Sequence, residues 1–220
     1  MREDYSADSI EHLEDLDAIR RRPAMYVGDL DAPESIDVLL QESLCVSLDL
    51  ILADQAAELY IELNDDRSAT VRDNGPGLPL EALHNGQTAT EIIFGSMAPG
   101  CRHLKQDSQN SNLCGPGMAC VTALSKWLMV NNSRDGAIWQ TRFIRGVQVG
   151  PAERVSFTDS TGLEIAFRPD PDFFRTNRLD FDRFCDWFNN SSFELSMQST
   201  VTVHCARTQK QATLHPAPAS

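Results

Sequence analysis

Asp73 stands at the end of the strand-like run Ala69-Thr70-Val71-Arg72 and is followed by Asn74-Gly75-Pro76-Gly77-Leu78-Pro79. A carboxylate in that position can accept a hydrogen bond from an amino group such as that of adenine. Glycines just beyond it let the backbone approach a flat ring closely, because they carry no Cβ. An ordinary turn would use the same residue types. Glu42 is the second acidic candidate. Spacings of three, four and seven place Glu42, Cys45, Val46 and Asp49 on one helix face. A carboxylate in an otherwise apolar helix is costly to bury without a partner, which marks a candidate site; a helix edge open to solvent would also accommodate it. A third segment, Leu113-Cys114-Gly115-Pro116-Gly117-Met118, leads from an irregular stretch into a helix. Backbone N–H groups and the positive helix end could face phosphate there, although Pro116 removes one donor and a plain loop-to-helix junction reads the same way.

Other chemistries are poorly supported. The five histidines do not pair with cysteines or acids at metal-ligand spacing, and neither Gly-x-Ser-x-Gly nor a Walker-type Gly-Lys-Ser occurs.

The elements that must position these residues follow from periodicity. Apolar positions from Ile10 to Ile19 recur at helical spacing up to Pro23, and a second, largely buried helix is expected from Pro33 and Ser35 to about Ala53. Glu58–Leu63 and Ala69–Arg72 read as a hairpin across Asn64-Asp65-Asp66-Arg67. Residues 99–117 read as a long loop, and a helical pattern resumes at Met118–Leu124. Strands are expected near 126–131, 137–145, 153–157, 163–167 and 201–205, with a helix at Phe181–Phe188 and a tight turn at Asp135-Gly136. Residues 1–9 are expected as a mobile arm, 10–207 as one domain, and 208–220 as a disordered Pro/Ala-rich tail.

Composition narrows the function. With 220 residues and 41% hydrophobic content the chain can bury a substantial core. A net charge of −13 opposes phosphate backbones, so direct DNA binding is not expected. Six cysteines without a CxxC pair, and a polar start at Met1-Arg2-Glu3-Asp4, lead to the expectation of reduced thiols in a cytoplasmic protein. No apolar run approaches the roughly 18 residues of a membrane span.

Taken in order, the segments resemble the N-terminal ATP-binding domain found in the B subunits of DNA gyrase and topoisomerase IV, within the superfamily of heat-shock chaperones, histidine kinases and mismatch-repair ATPases. Leu16-Asp17-Ala18-Ile19-Arg20-Arg21-Arg22-Pro23-Ala24-Met25-Tyr26-Val27-Gly28-Asp29 is similar to the family's Leu-Asp-Ala-Val-Arg-x-Arg-Pro-x-Met-Tyr-Ile-Gly-Asp signature. The resemblance, which extends with gaps from Tyr5 to about Cys205, implies an α/β two-layer sandwich, a mixed and largely antiparallel sheet with helices on one face. It implies Glu42 as catalytic base and Asp73 as receiver of the adenine amino group. Gly75, Gly77, Leu78 and Pro79 would surround the base and Ile93 pack against it, with Leu163 and Ile165 nearby and Gly115 and Gly117 at the phosphates. Tyr5 and Ile10 fall where the family's arm anchors on a partner protomer.

Departures from the family pattern accompany the matches. Glu-x-x-Asp-Asn becomes Glu42-Ser43-Leu44-Cys45-Val46, so the usual Mg²⁺ ligand is replaced by a side chain with no oxygen, and Asp49 is the candidate substitute. The family's phosphate loop Gly-Gly-Leu-His-Gly-Val-Gly becomes Ser111-Asn112-Leu113-Cys114-Gly115-Pro116-Gly117, and its Thr-Gly-Thr becomes Thr161-Gly162-Leu163. Pro76 replaces an arginine that covers the base, and Cys101 a lysine before the lid. The expectation is a degenerate ATP-binding domain with weak or lost hydrolysis and doubtful Mg²⁺ binding. The competing expectation is a non-catalytic regulatory module that pairs with a topoisomerase subunit, or with itself.

Overall fold

Strands form where β-branched and aromatic residues alternate with polar ones, and that period of two gives the sheet one apolar face. In the computed structural model the described residues are 15–83, 86–97, 117–175, 177–191, 195 and 198–214. They contain β1 (Glu58–Leu63), β2 (Ala69–Asp73), β3 (Ser125–Arg134), β4 (Ala137–Ile144), β5 (Val147–Gln148), β6 (Glu153–Phe157), β7 (Gly162–Pro169), β8 (Thr200–Cys205) and β9 (Lys210–Leu214). The nine strands make one sheet in the order β5-β4-β3-β7-β2-β1-β8-β9, with β6 pairing to β4. β1 and β8 run parallel, and the other recorded pairs are antiparallel. Leu59, Ile61 and Leu63 of β1, Leu128 and Val130 of β3, and Val201 and Val203 of β8 turn their side chains to the buried face.

The helices cover that face. They are α1 (Asp15–Arg21), α2 (Ala24–Val27), α3 (Asp37–Ser43), α4 (Cys45–Leu52), α5 (Ala89–Gly95), α6 (Met118–Leu124) and α7 (Phe181–Asn189). Every residue of α6 is buried. It packs on β3 and β7 from one side and on α1, α3 and α5 from the other, as a helix apolar all round must. None of the described helices is long and apolar enough to cross a membrane.

The signature segment has a structural explanation. Arg20 places one guanidinium nitrogen 2.9 Å from Asp170 Oδ2 and another 2.5 Å from the Ala123 carbonyl oxygen, and it lies over the Phe173 ring. Asp170 is fully buried and also receives Arg145 at 3.6 Å. The cluster ties α1 to the end of α6 and to the end of β7.

Two expectations need correction. The helix expected from Pro33 to Ala53 is a 3-10 turn (Pro33–Ser35) followed by α3 and α4, which break at Leu44. The Ser43 hydroxyl donates to the Leu40 carbonyl at 2.7 Å, a side-chain bond that competes with helical pairing at this point. The tail expected to be disordered from Thr208 instead supplies β9, whose Ala212 and Leu214 pair with Val203 and Val201. The Pro/Ala composition that suggests disorder belongs to residues 215–220, outside the described ones.

Candidate functional site

Asp73 ends β2 with 5% of its surface exposed, and its carboxylate is built into three elements. Oδ2 accepts the Ser47 hydroxyl of α4 at 2.5 Å, while Oδ1 accepts the backbone N–H of Gly75 at 2.9 Å and of Leu163, at the start of β7, at 3.3 Å. Burial raises the Asp73 pKa above its ordinary value, against the opposing effect of these donors. Gly162 makes the cluster possible: a Cβ there would overlap the Asp73 carbonyl oxygen, and its φ is +146°.

The loop after Asp73 is clamped to β3. Asn132 accepts the Leu78 N–H at 2.8 Å and donates to the Leu78 carbonyl at 2.9 Å, so its carboxamide pairs with that residue as a neighbouring strand would. Arg134 donates to the Gly77 carbonyl at 3.1 Å. Gly77 has φ +71°, and a Cβ on it would meet Asn132 Oδ1 at 2.6 Å, so the backbone presses against β3 where only glycine fits. On the other side, Asn74 Oδ1 accepts the N–H groups of Ala57 and Glu58. Pro79 borders a cavity of about 140 Å³ shared with Asn132, Trp139 and Thr141.

Glu42, on α3, is buried, and its Oε2 accepts the Gly117 N–H at 2.8 Å and the Cys45 thiol at 3.7 Å. Gly117 is the residue preceding α6, with φ +80°. The carboxylate therefore meets the backbone at the positive end of that helix. Cys120 on α6 lies close enough that Glu42 adds to burial in raising its pKa, which keeps the thiol protonated. Val46 is fully buried. With no lone pair to offer, it does not fit a hard cation. Asp49 is half-buried one turn further along α4.

Of the remaining site residues, Leu163 contributes its backbone to Asp73, and its side chain is buried. Ile165 is fully buried between Val71 of β2 and Val130 of β3, so it backs the site from within the sheet. Ile93 on α5 is partly buried against the core. Tyr5, Ile10 and Gly115 lie outside the described residues, as do Cys101 and the stretch Ser111–Pro116. A larger cavity of about 470 Å³ lies elsewhere, lined by Leu16, Asp17, Glu91, Phe143 and Val147, and contains none of the site residues.

Sequence reasoning passes over two side chains that build the site. Ser47 reads as a small residue on a buried helix, and Asn132 as an interruption in the alternation Leu128, Val130, Asn132. An amide at an inward-facing strand position must find a partner. That interruption is the available signal.

Comparison with known proteins points in one direction. The chain is 34% identical over 183 residues to the B subunit of the type 2 topoisomerase of Aquifex aeolicus, an alignment covering 82% of this chain and 23% of that protein. It is 37% identical over 183 residues to the DNA gyrase B subunit of Thermotoga maritima, covering 82% and 28%. It is 34% identical over 194 residues to the DNA topoisomerase 4 B subunit of Bacillus subtilis, covering 87% and 30%. The fold superposes on the 43K ATPase domain of Thermus thermophilus gyrase B, solved in complex with an aminocoumarin, with a TM-score of 0.76 and 28% identity over 91% of this chain and 51% of that one. No family model matches. The chain thus spans less than a third of the length of these curated relatives.

Proposed function

We propose that this chain, a homologue of the B subunits of gyrase and topoisomerase IV, binds ATP through the Asp73 loop and hydrolyses it weakly or not at all. The observation that carries this reading is the Asp73 carboxylate, buried yet built by Ser47, Gly75 and Leu163 into a fixed acceptor at the rim of a glycine-containing loop. Such an acceptor suits the amino group of adenine and disfavours a carbonyl oxygen in the same place.

The case for impaired hydrolysis rests on the residues around Glu42. Glu42 Oε2 already accepts the Gly117 N–H and the Cys45 thiol, so both acceptor sites of that oxygen are taken and an attacking water must be met by Oε1. Val46 brings no oxygen to the position where the family's metal ligand is expected, so no step through Mg²⁺ is assigned. Association with a topoisomerase subunit, or with a second copy through Tyr5 and Ile10, is part of the same proposal. Cytoplasmic location accompanies it.

Isothermal titration with ADP, ATP and a non-hydrolysable analogue, each with and without Mg²⁺, tests the reading when run beside a phosphate-release assay. Saturable binding with little release is expected. Absence of binding would remove the nucleotide function, and Mg²⁺-dependent turnover at rates ordinary for an ATPase would remove the claim of impairment.

A further inference from the structure

Asp73 and Leu78 bound the segment that would meet the base and are fixed from different parts of the fold, while Asn74 and Gly77 between them are tied to the start of β1 and to Arg134. Asp73 is held by α4 and β7. Leu78 is held by a single side chain, Asn132 of β3, which takes both of its backbone groups. Asn132 and Leu78 are each almost wholly buried, at 3% and 2% exposed, so neither partner can exchange this pairing for water. The same carboxamide oxygen presses on Gly77, where a Cβ would meet it at 2.6 Å. Asn132 also lines the cavity behind Pro79, together with Trp139 and Thr141. Free space there would let the loop shift if the clamp were released.

We propose that Asn132 is the positioning residue of the base-binding loop, setting the distance of Gly77, Leu78 and Pro79 from adenine and thereby the preference for an adenine nucleotide. This rests on the reading of the Asp73 loop as the base site. Asn132 touches the loop and acts through it. A purely structural role would lower stability and would weaken all nucleotides in proportion, whereas a positioning role lowers the discrimination that Asp73 exerts between an amino group and a carbonyl.

The test compares the unmodified chain with Asn132→Leu, which keeps the branched shape in a larger side chain and removes both hydrogen bonds, and Asn132→Asp, which keeps the acceptor for the Leu78 N–H and, when ionised, loses the donor. ADP and GDP affinities are measured by titration and melting temperature by circular dichroism. The expected result is a loss of about tenfold in ADP affinity for Asn132→Leu, with a smaller loss for Asn132→Asp, and a fall in the ADP-to-GDP ratio in both. Should Asn132→Leu fail to fold, the ratio in Asn132→Asp decides. A folded variant with unchanged ADP affinity, or one in which ADP and GDP weaken equally, would overturn the positioning role while leaving the base site standing. An unmodified chain that does not bind ADP would overturn both.

Discussion

The Ser47 hydroxyl on α4 donates to Asp73 Oδ2 at 2.5 Å, joining residues 26 positions apart. Oδ1 is occupied by two backbone donors, Gly75 and Leu163. An ionised carboxylate offers about four acceptor sites, so the remaining one lies on the oxygen that Ser47 orients. Ser47→Ala is therefore expected to lower stability by about 1 kcal/mol and to weaken ADP binding by a similar amount, since the buried oxygen loses its donor. Chemical denaturation and calorimetric titration read the two effects separately. If ADP affinity stays unchanged while stability falls, Ser47 serves the fold alone.

Asp73→Asn should weaken ADP binding by about 1–3 kcal/mol, because a charged acceptor becomes a neutral amide whose other end is a donor. The pH dependence is a second check. Burial raises the Asp73 pKa above 3.8 in the folded state, so over the interval above that value the folded chain holds more proton than the unfolded chain. Stability contributed by the protonated form is present below pH 3.8 and is lost as pH rises through the folded value. The stability of the unmodified protein relative to Asp73→Asn should accordingly decline as pH rises from below 3.8 toward neutrality. A flat difference across that range would contradict the raised pKa.

Residue order makes legible whatever depends on near neighbours. The signature from Leu16 to Asp29, the hairpin joining β1 and β2, and the turn at Asp135-Gly136 all show themselves over short windows. Met118–Leu124 is legible as a helix because its apolar residues follow glycine directly, and the structure gives it those bounds. The helix α5 is missed, although its capping box, Thr88 with Glu91, is a local signal. Asn132 and Leu78 lie 54 positions apart, and nothing local to either shows that they meet. The break at Leu44 is hidden for a related reason. Apolar periodicity continues across it, and the interruption shows only in the structure, where the Ser43 hydroxyl bonds back to Leu40 and the Leu44 N–H turns to the Gln41 carbonyl.

Val46 gives a prediction about metal. In the unmodified chain, nucleotide affinity should be nearly independent of Mg²⁺, because the side chain is fully buried and has no oxygen. Val46→Asn should introduce a dependence, at some loss of stability from placing an amide among apolar neighbours. Titration of ADP with Mg²⁺ or with a chelator measures both proteins. A strong Mg²⁺ requirement in the unmodified chain would direct attention to Asp49, one turn along α4.

Gly162 is the position where the backbone leaves least room. It starts β7 with φ +146°, and a Cβ would overlap the Asp73 carbonyl oxygen and stand 3.6 Å from the Asn74 Cα, atoms that belong to backbone and cannot rotate away. Alanine there must push the start of β7 from the end of β2, and the first bond to suffer is the Leu163 N–H to Asp73 Oδ1. Gly28 supplies the comparison: its φ is +78°, but nothing lies within 4 Å of its Cβ position. Gly28→Ala should cost only the strain of a positive φ, about 1 kcal/mol. Gly162→Ala adds the clash and should cost at least about 2 kcal/mol more, with a loss of ADP binding in whatever fraction remains folded. Urea denaturation of both variants, followed by ADP titration under native conditions, measures the difference. If the two substitutions proved equally costly, close approach of β7 to Asp73 would not be what demands glycine, and the cluster would tolerate a wider opening than its hydrogen bonds suggest.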